Sequence, residues 1–338
     1  FQAEDGIRDC LLSRGLGDVY KRQIFAPHIE TSQKFSSAYV RENKSTKEYK
    51  KSSSPMEAWW TANVVQPFEE LLHSYNTSSN RQSADAVKKR IKLAQTTGLC
   101  NLERNLNWTR FPVFIFDVVG AKKCIVVEVS ENQLEEIPEK VNLLQKCTKL
   151  IVANNMLLRL PDSLHMKSLK VLNLSRNRLR KLCALDLPNL VELIVDNNEL
   201  TELPESSFGT MKKLEIFSCS ENRIRDVTCV SVCASLTDAR CERNQIEKIP
   251  DVFAFLRKLR RLRMDGNENI RTVPSDVFKH CEGLEELSLK DTKVTAEDLR
   301  EVEGWESYEL RRQKKVEKKI DGNVMLLNGM DDGLERKM

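Results

Sequence analysis

Four cysteines, Cys219, Cys229, Cys233 and Cys241, fall close together, and four thiolates are a donor set that zinc accepts. The spacing lacks the short CxxC pairs of structural zinc sites, and Cys219 and Cys241 stand where the local pattern places core residues. No metal or other cofactor is therefore expected. The four histidines, His28, His73, His165 and His280, are scattered, and none lies in a Ser-His-Asp or HExxH context. His280 stands beside Cys281 on a return segment and reads as a surface pair rather than a nucleophile with its base. P-loop and GxGxxG patterns do not occur. These residues do not make an enzyme.

Asparagine recurs instead at a fixed place. Asn132, Asn155, Asn177, Asn198, Asn222, Asn244 and Asn267 each occupy the ninth position of a unit written LxxLxLxxNxLxxLP. A buried carboxamide at that point can satisfy backbone donors and acceptors that a flat sheet leaves unpaired. The seven are thus read as a structural ladder. Thr292 takes the place of the eighth.

The units that carry this ladder begin at Cys124, Cys147, Leu169, Leu190, Leu214, Leu236, Leu259 and Leu284, at short and nearly constant intervals. Their fourth and sixth positions are apolar with polar neighbours, the alternation of a short strand with one face buried. A unit this short cannot bury its own apolar face, so it is stable only when neighbours stack on both sides. Leu-Pro or a similar pair closes most units, as at Ile137-Pro138 and Leu203-Pro204, and proline lacks the donor a continued strand needs. The return path is expected to be a turn or short helix. The expected architecture is α/β: a curved solenoid with a parallel concave β-sheet and helical caps at both ends.

On such a sheet the outward strand positions make the concave face. In the first five units they include Val126, Ile151, Val171, Ile194 and Ile216. In the sixth and seventh they carry Arg240, Arg243, Arg261 and Arg263, with Asp238, Glu242 and Asp265 among them. Apolar side chains beside arginine are the composition of protein interfaces. The competing reading is plain β-propensity with self-neutralising ion pairs.

Around the repeats, residues 1–23 resemble translated sequencing-adapter artefact and are excluded from fold reasoning. Residues 24–82 are expected to be disordered, with a helix over 56–75 from the spacing of Trp59, Trp60, Val64, Val65, Phe68, Leu71 and Leu72. That helix would pack on the repeats, dock a partner or lie on a membrane surface. Residues 83–123 read as an N-terminal cap helix (Ala86, Val87, Ile91, Leu93, Ala94) with a degenerate repeat, and 124–294 as eight repeats. Residues 295–322 read as a capping helix whose stripe is Leu299, Val302, Trp305, Tyr308 and Leu310, and 323–338 as a flexible tail. The basic run Arg311, Arg312, Lys314, Lys315, Lys318 and Lys319 reads as a solvated helix face.

Net charge is +4 with 31% charged residues, a balance that implies no bulk attraction to nucleic acid. No apolar stretch is long enough to span a bilayer as a helix. Ten cysteines placed largely as core residues, without clustered pairs at the flanks, suit a reducing compartment.

The segments VKKRIKLAQTTG before the repeats and DLREVEGWESYELRRQKKVEKKIDGNV after them, together with the repeat itself, carry a resemblance covering Ser83 to Val324. The chain resembles small intracellular leucine-rich-repeat proteins of the type of leucine-rich repeat-containing protein 57 and its plant counterparts. The resemblance implies a leucine-rich repeat solenoid acting as a cytoplasmic, monomeric, non-enzymatic scaffold that binds another protein. A regulatory subunit in a phosphatase or small GTPase pathway, or a peripheral membrane adaptor, are the alternatives. The Met-Gly myristoylation signal found in that family is not present here, so attachment by myristate is not carried over.

Overall fold

The computed structural model describes residues 81–103, 108–113 and 115–321. The expectations for 1–23, for the helix over 56–75 and for the tail over 323–338 lie outside the described residues.

In every unit the three residues around the fourth position are extended, and the middle one, most often leucine, is buried. They form β1 (Leu99–Asn101), β2 (Val126–Glu128), β3 (Lys149–Ile151), β5 (Val171–Asn173), β7 (Glu192–Ile194), β8 (Ile216–Ser218), β9 (Asp238–Arg240), β10 (Arg261–Arg263) and β11 (Glu286–Ser288). These pair in parallel into one nine-stranded sheet in that order. The register is unshifted from strand to strand, Leu150 opposite Leu172 and Leu172 opposite Leu193. Behind the sheet one continuous core runs the length of the stack, with Leu134, Leu157, Leu179 and Leu200 among its fully buried members. Removing each such side chain from water is worth about 2 kcal/mol, gained only because a neighbouring unit covers it.

How a unit returns goes with its length at the two extremes and not between them. The two longest steps, Leu190 to Leu214 and Leu259 to Leu284, have room for α2 (Glu205–Phe208) and α3 (Ser275–His280). The next longest, Cys124 to Cys147 and Leu236 to Leu259, fit a 3-10 turn, Glu139–Leu143 and Asp251–Phe255. The shortest, Leu169 to Leu190, has room only for extended chain, β6 (Ala184–Asp186). The intermediate steps divide: Cys147 to Leu169 returns through β4 (Ser163–His165), and Leu214 to Leu236 through the 3-10 turn Thr228–Val232. Pro138, Pro204, Pro250 and Pro274 each stand immediately before a helical return. A fixed φ and no donor suit the start of a helix as well as the end of a strand.

The two extended returns differ from the expected turn or short helix. β4 and β6 pair with each other as a second, two-stranded sheet. Its edges are closed by side chains. Asn142 donates to Ser163 O at 2.9 Å and accepts from His165 N at 2.8 Å, while Ser207 Oγ accepts from Leu185 N at 2.9 Å. An open strand edge is thereby removed at both sides.

At the N-terminal end, α1 (Arg81–Thr97) lays Val87, Ile91 and Ala94 into the core and leaves Leu93 58% exposed, so Leu93 is not part of the expected covering stripe. Gly98 ends the helix at φ +74°, where an added Cβ would collide with Lys123 O. Only glycine can hold that turn. At the other end Thr295 opens α4 (Ala296–Glu301) with a reciprocal capping box to Asp298, and α5 (Trp305–Asp321) follows. Leu299 and Tyr308 are buried, and Phe278 of α3 meets Trp305 and Tyr308 with ring centroids 5.4 and 5.3 Å apart. Leu310 is 56% exposed and does not belong to the stripe. Arg311, expected on a solvated face, instead reaches Phe278 O at 2.9 Å.

Candidate protein-binding face

The asparagine at position nine is the hinge on which each strand turns away from the sheet. Asn177 is representative: its Nδ2 donates to Leu174 O at 2.9 Å, Ser175 O at 3.1 Å and Val152 O of the preceding unit at 2.9 Å, and its Oδ1 accepts from Leu157 N at 3.0 Å. Asn155, Asn198, Asn222, Asn244 and Asn267 repeat the bonds across units, each donating to a carbonyl and accepting from an N–H of the preceding unit. Asn132 makes the three donations to Leu102, Val129 and Ser130. One carboxamide per unit therefore ties two units together, while the Oδ1 of Asn132, at the end of the ladder, accepts no hydrogen bond among the described residues. The residue before it takes positive φ in seven units, Glu131, Asn154, Arg176, Asn197, Glu221, Arg243 and Asp291, with Gly266 doing the same in the remaining one. Left-handed backbone costs a non-glycine residue of order 1 kcal/mol, and here the N–H it presents is bonded to the next unit, as Arg176 N to Asp196 O at 2.8 Å.

With the backbone fixed, the third and fifth positions project from the sheet. The third-position column runs Val126, Lys149, Val171, Glu192, Ile216, Asp238, Arg261, Glu286. The fifth-position column runs Glu128, Ile151, Asn173, Ile194, Ser218, Arg240, Arg263, Ser288. The expected apolar band thus alternates between columns, and Val126, Ile151, Val171, Ile194 and Ile216 are all half-buried. A polar residue fills each intervening place. The face is a zigzag apolar stripe rather than a continuous patch.

From the sixth unit the face becomes ionic. Asp238 Oδ2 accepts from Arg240 Nε and Nη2 at 3.2 and 2.7 Å and from Arg261 Nε at 3.0 Å. Asp238 is fully buried beneath these guanidiniums, so it orients the arginines instead of presenting itself, contrary to its expected place among the exposed contact residues. Burial pushes its carboxyl up, but the hydrogen bonds and charges of Arg240 and Arg261 prevail and hold it below the ordinary carboxylate range. Arg263 Nε donates to Glu286 Oε1 at 2.7 Å. Arg243 is not on the strand face. It sits at the rim in left-handed backbone and reaches Glu221 at 2.9 Å.

A row at the seventh position carries further acids. Asp196 Oδ1 accepts from Ser218 Oγ at 2.7 Å and Ser220 N at 2.8 Å. Asp265 Oδ1 does the same with Ser288 Oγ at 2.6 Å and Lys290 N at 2.7 Å. Glu242 accepts from Ser220 Oγ. Burial raises the carboxyls of Asp196 and Glu242 above their ordinary values. Asp196 is not among the expected contact residues. Its signal in the sequence was an acid at position seven followed one unit later by serine at position five. Beside the row, toward the N-terminal units, Ser130, Glu131, Ala153, Asn154, Ser175, Arg176, Asp196 and Asn197 line a shallow groove of about 360 Å³.

The thiols supply no competing chemistry. Burial pushes Cys124 up to about 11, Cys147 to about 12, Cys229 to about 12 and Cys233 to about 11, far from a neutral-pH thiolate. Cys219, fully buried beside Cys241, is raised further by burial and by that neighbour. Among the described residues no three His, Cys, Asp or Glu side chains are grouped to hold a metal ion. His280 and Cys281 do not form the expected surface pair: the histidine is exposed, while the cysteine is buried with its thiol toward Phe253 O at 3.0 Å. Among the described residues no helix is long and apolar enough to cross a membrane.

Comparison with known proteins agrees with this geometry. The Leucine Rich Repeat family model matches residues 168–190, the unit that begins at Leu169. The chain is 33% identical over 221 residues to Plant intracellular Ras-group-related LRR protein 8 of Oryza sativa subsp. japonica, covering 62% of this chain and 58% of that protein. It is 26% identical over 188 residues to keratocan of Bos taurus, covering 46% of this chain and 52% of the relative, so it spans about half of that protein's length. Among solved structures, the Toll–Spatzle complex of Drosophila has a chain that superposes with a TM-score of 0.51 at 21% identity, covering 57% of this chain and 26% of that one. That likeness is one of fold.

Proposed function

From a chain folded as a leucine-rich-repeat solenoid, we propose a non-enzymatic scaffold that binds a protein partner on its concave face, in the cytoplasm and as a monomer. The observation that carries this reading is the half-buried apolar stripe from Val126 to Ile216 running into the oriented arginines Arg240, Arg261 and Arg263. The stripe supplies area to desolvate, and the arginines, held by Asp238 and Glu286, lose little freedom on binding.

A more specific version places the partner in a small GTPase pathway, drawing on the name of the Oryza sativa relative, a Ras-group-related protein. A phosphatase regulator has no comparable support, and the membrane-adaptor alternative rests on Trp59 and Trp60, which lie outside the described residues, and on the basic run of α5.

The test is affinity capture with the full chain beside a variant carrying Val171→Glu and Ile194→Glu. Both positions are half-buried and leave the Asp238 cluster intact. Partners lost from the variant but retained by Phe255→Ser, a change at a 74% exposed site on the return side, place binding on the concave face. Partners retained by both variants remove the proposal.

A further inference from the structure

The two rims of the solenoid carry charge differently. Past the asparagine turns, acids and bases meet across units: Arg159 reaches Glu136 at 2.9 Å, Arg180 reaches Glu199 at 3.3 Å and Lys181 reaches Glu202 at 2.9 Å. The turns that lead into the early strands hold one sign only. Residues 121–125, 145–149 and 166–170 read AKKCI, QKCTK and MKSLK, six exposed lysines and no carboxylate. Among the described residues none of Lys122, Lys123, Lys146, Lys149, Lys167 and Lys170 forms an ion pair.

The backbone stacks these turns into one row. Ile125 N donates to Gly98 O at 2.8 Å, Thr148 N to Ile125 O at 2.7 Å and Lys170 N to Thr148 O at 2.8 Å. Three strand spacings of about 4.8 Å make the row about 14 Å long, so its charges act together. The row stops at the fourth unit, whose turn holds Asn189, and in the fifth Lys213 Nζ is taken up by Asn189 Oδ1 at 2.7 Å.

Exposed apolar side chains stand at the same place. α1 runs into the row at Gly98, and Lys89, Lys92 and Leu93, spaced three and four apart, share its exposed face. Leu93 O accepts from the hydroxyls of Thr96 and Thr97, and Thr97 Oγ1 accepts from Leu99 N at 3.2 Å, which ties the helix end to β1. Leu99 is 48% and Ile125 41% exposed, and Ile125 Cγ1 lies 3.2 Å from where a Cβ on Gly98 would stand. Aliphatic groups among unpaired lysines match the boundary of an anionic bilayer, where the former enter the headgroup region and the latter meet phosphates. Lysine is a point charge on a flexible stem and suits such a diffuse surface, whereas bidentate recognition of single carboxylates favours arginine.

We propose that the row from α1 to the third unit docks on a negatively charged lipid bilayer, with Leu93 and Ile125 at the headgroup boundary and the lysines on the phosphates. This goes beyond the concave-face reading and stands or falls apart from it. Each lysine brought to an anionic surface is worth about fivefold in affinity, and binding weakens as ionic strength rises.

The experiment is co-sedimentation of the full chain with phosphatidylcholine vesicles, with and without phosphatidylserine. Two variants of equal charge change accompany it: Lys123→Glu, Lys146→Glu, Lys170→Glu in the row, and Arg257→Glu, Lys258→Glu, Arg260→Glu in the equivalent turn of the seventh unit. All six side chains are exposed and none is in an ion pair among the described residues. The expected result is sedimentation only with phosphatidylserine vesicles, weakened about a hundredfold by the row variant and far less by the other. Leu93→Ser with Ile125→Ser is expected to weaken it about tenfold. Equal loss in both charge variants overturns the inference, since binding would then follow net charge and not place. Binding that the row variant leaves intact also overturns it and assigns the contact to Trp59, Trp60 or α5. Absence of sedimentation overturns it as well, and a labelled glutamate–serine peptide that binds the native chain but not the row variant would then assign the row to an acidic protein segment. Release of the native chain by salt or by omission of phosphatidylserine needs no variant to be read. The capture test of the concave face uses other residues and is untouched by any of these results.

Discussion

The first half of the concave face and the second stand on the same backbone and do opposite things with it. In units two to five the projecting residues alternate apolar and polar, with Val171 beside Glu192 in one column and Asn173 beside Ile194 in the other. In units six to eight the same positions hold a carboxylate with two arginines clasped on it and a further Arg263–Glu286 pair. The asparagine hinge is the same in both, from Asn155 to Asn267, down to four hydrogen bonds per residue. Scaffold and surface are therefore separable. The ladder fixes where side chains project, and the choice at the third and fifth positions decides what they meet.

The sharpest break of that separation would come from the ladder. Asn177→Ala in the first half and Asn244→Ala in the second each strip buried backbone groups of their partners, and each is expected to lower stability by about 3 kcal/mol in urea titration. Unequal losses would show that surface and scaffold are coupled.

Next in size is Asp238→Ala, which leaves Arg240 and Arg261 without their common acceptor and is expected to cost about 2 kcal/mol, with no counterpart in the apolar half. The folded Asp238 carboxyl lies below its ordinary value, so its contribution is present above about pH 4 and is lost as pH falls through the lower folded value. Urea midpoints of the native chain and Asp238→Ala should converge toward acid pH. A gap that stays constant contradicts the assigned pairing.

Ile194→Thr tests the apolar half. A half-buried residue on the sheet face contributes about 0.5 kcal/mol or less to stability, while partner binding should weaken about tenfold. A stability loss with unchanged binding would return Ile194 to the role of plain strand packing.

The smallest effect belongs to Glu242→Gln. Burial holds this carboxyl above the ordinary glutamate range, so the folded chain binds its proton more tightly than the unfolded chain does. Between about pH 4.3 and the raised value, stability falls as pH rises, and removing the charge is expected to leave the chain equal or slightly more stable at neutral pH. A clear loss would mean that the carboxylate is compensated by more than Ser220 and the charge of Arg263.

Much of the architecture is written in the period. Leucine at positions one, four and six and asparagine at nine dictate strand, turn and stacking, because no other arrangement buries those leucines. What the period does not carry is set by neighbours. The longest and shortest returns go with unit length, but two steps of equal length divide between an extended and a 3-10 return, and the extended pair β4 and β6 has its edges closed by Asn142 and Ser207. Leu93 and Leu310 lie in apolar patterns yet face outward, while Ile91 and Ala94 beside the one and Tyr308 beside the other take the buried face of the helix. The site was legible as composition but not as geometry. Asp238 and Arg240 are two residues apart and read as neighbours on a wet face, whereas the guanidiniums from two units close over the carboxylate and bury it. Arg243 belongs to the rim because the turn ahead of Asn244 requires left-handed backbone there.

The central claim is that partners meet the concave face. It is tested most directly by placing a photo-crosslinking amino acid at Ile194 on that face and, separately, at Phe255 on the return side of the full chain, then irradiating in the presence of captured partner. Crosslinks from position 194 and none from 255 are the predicted result. Crosslinks from 255 alone would contradict it and move the binding surface to the outside of the stack.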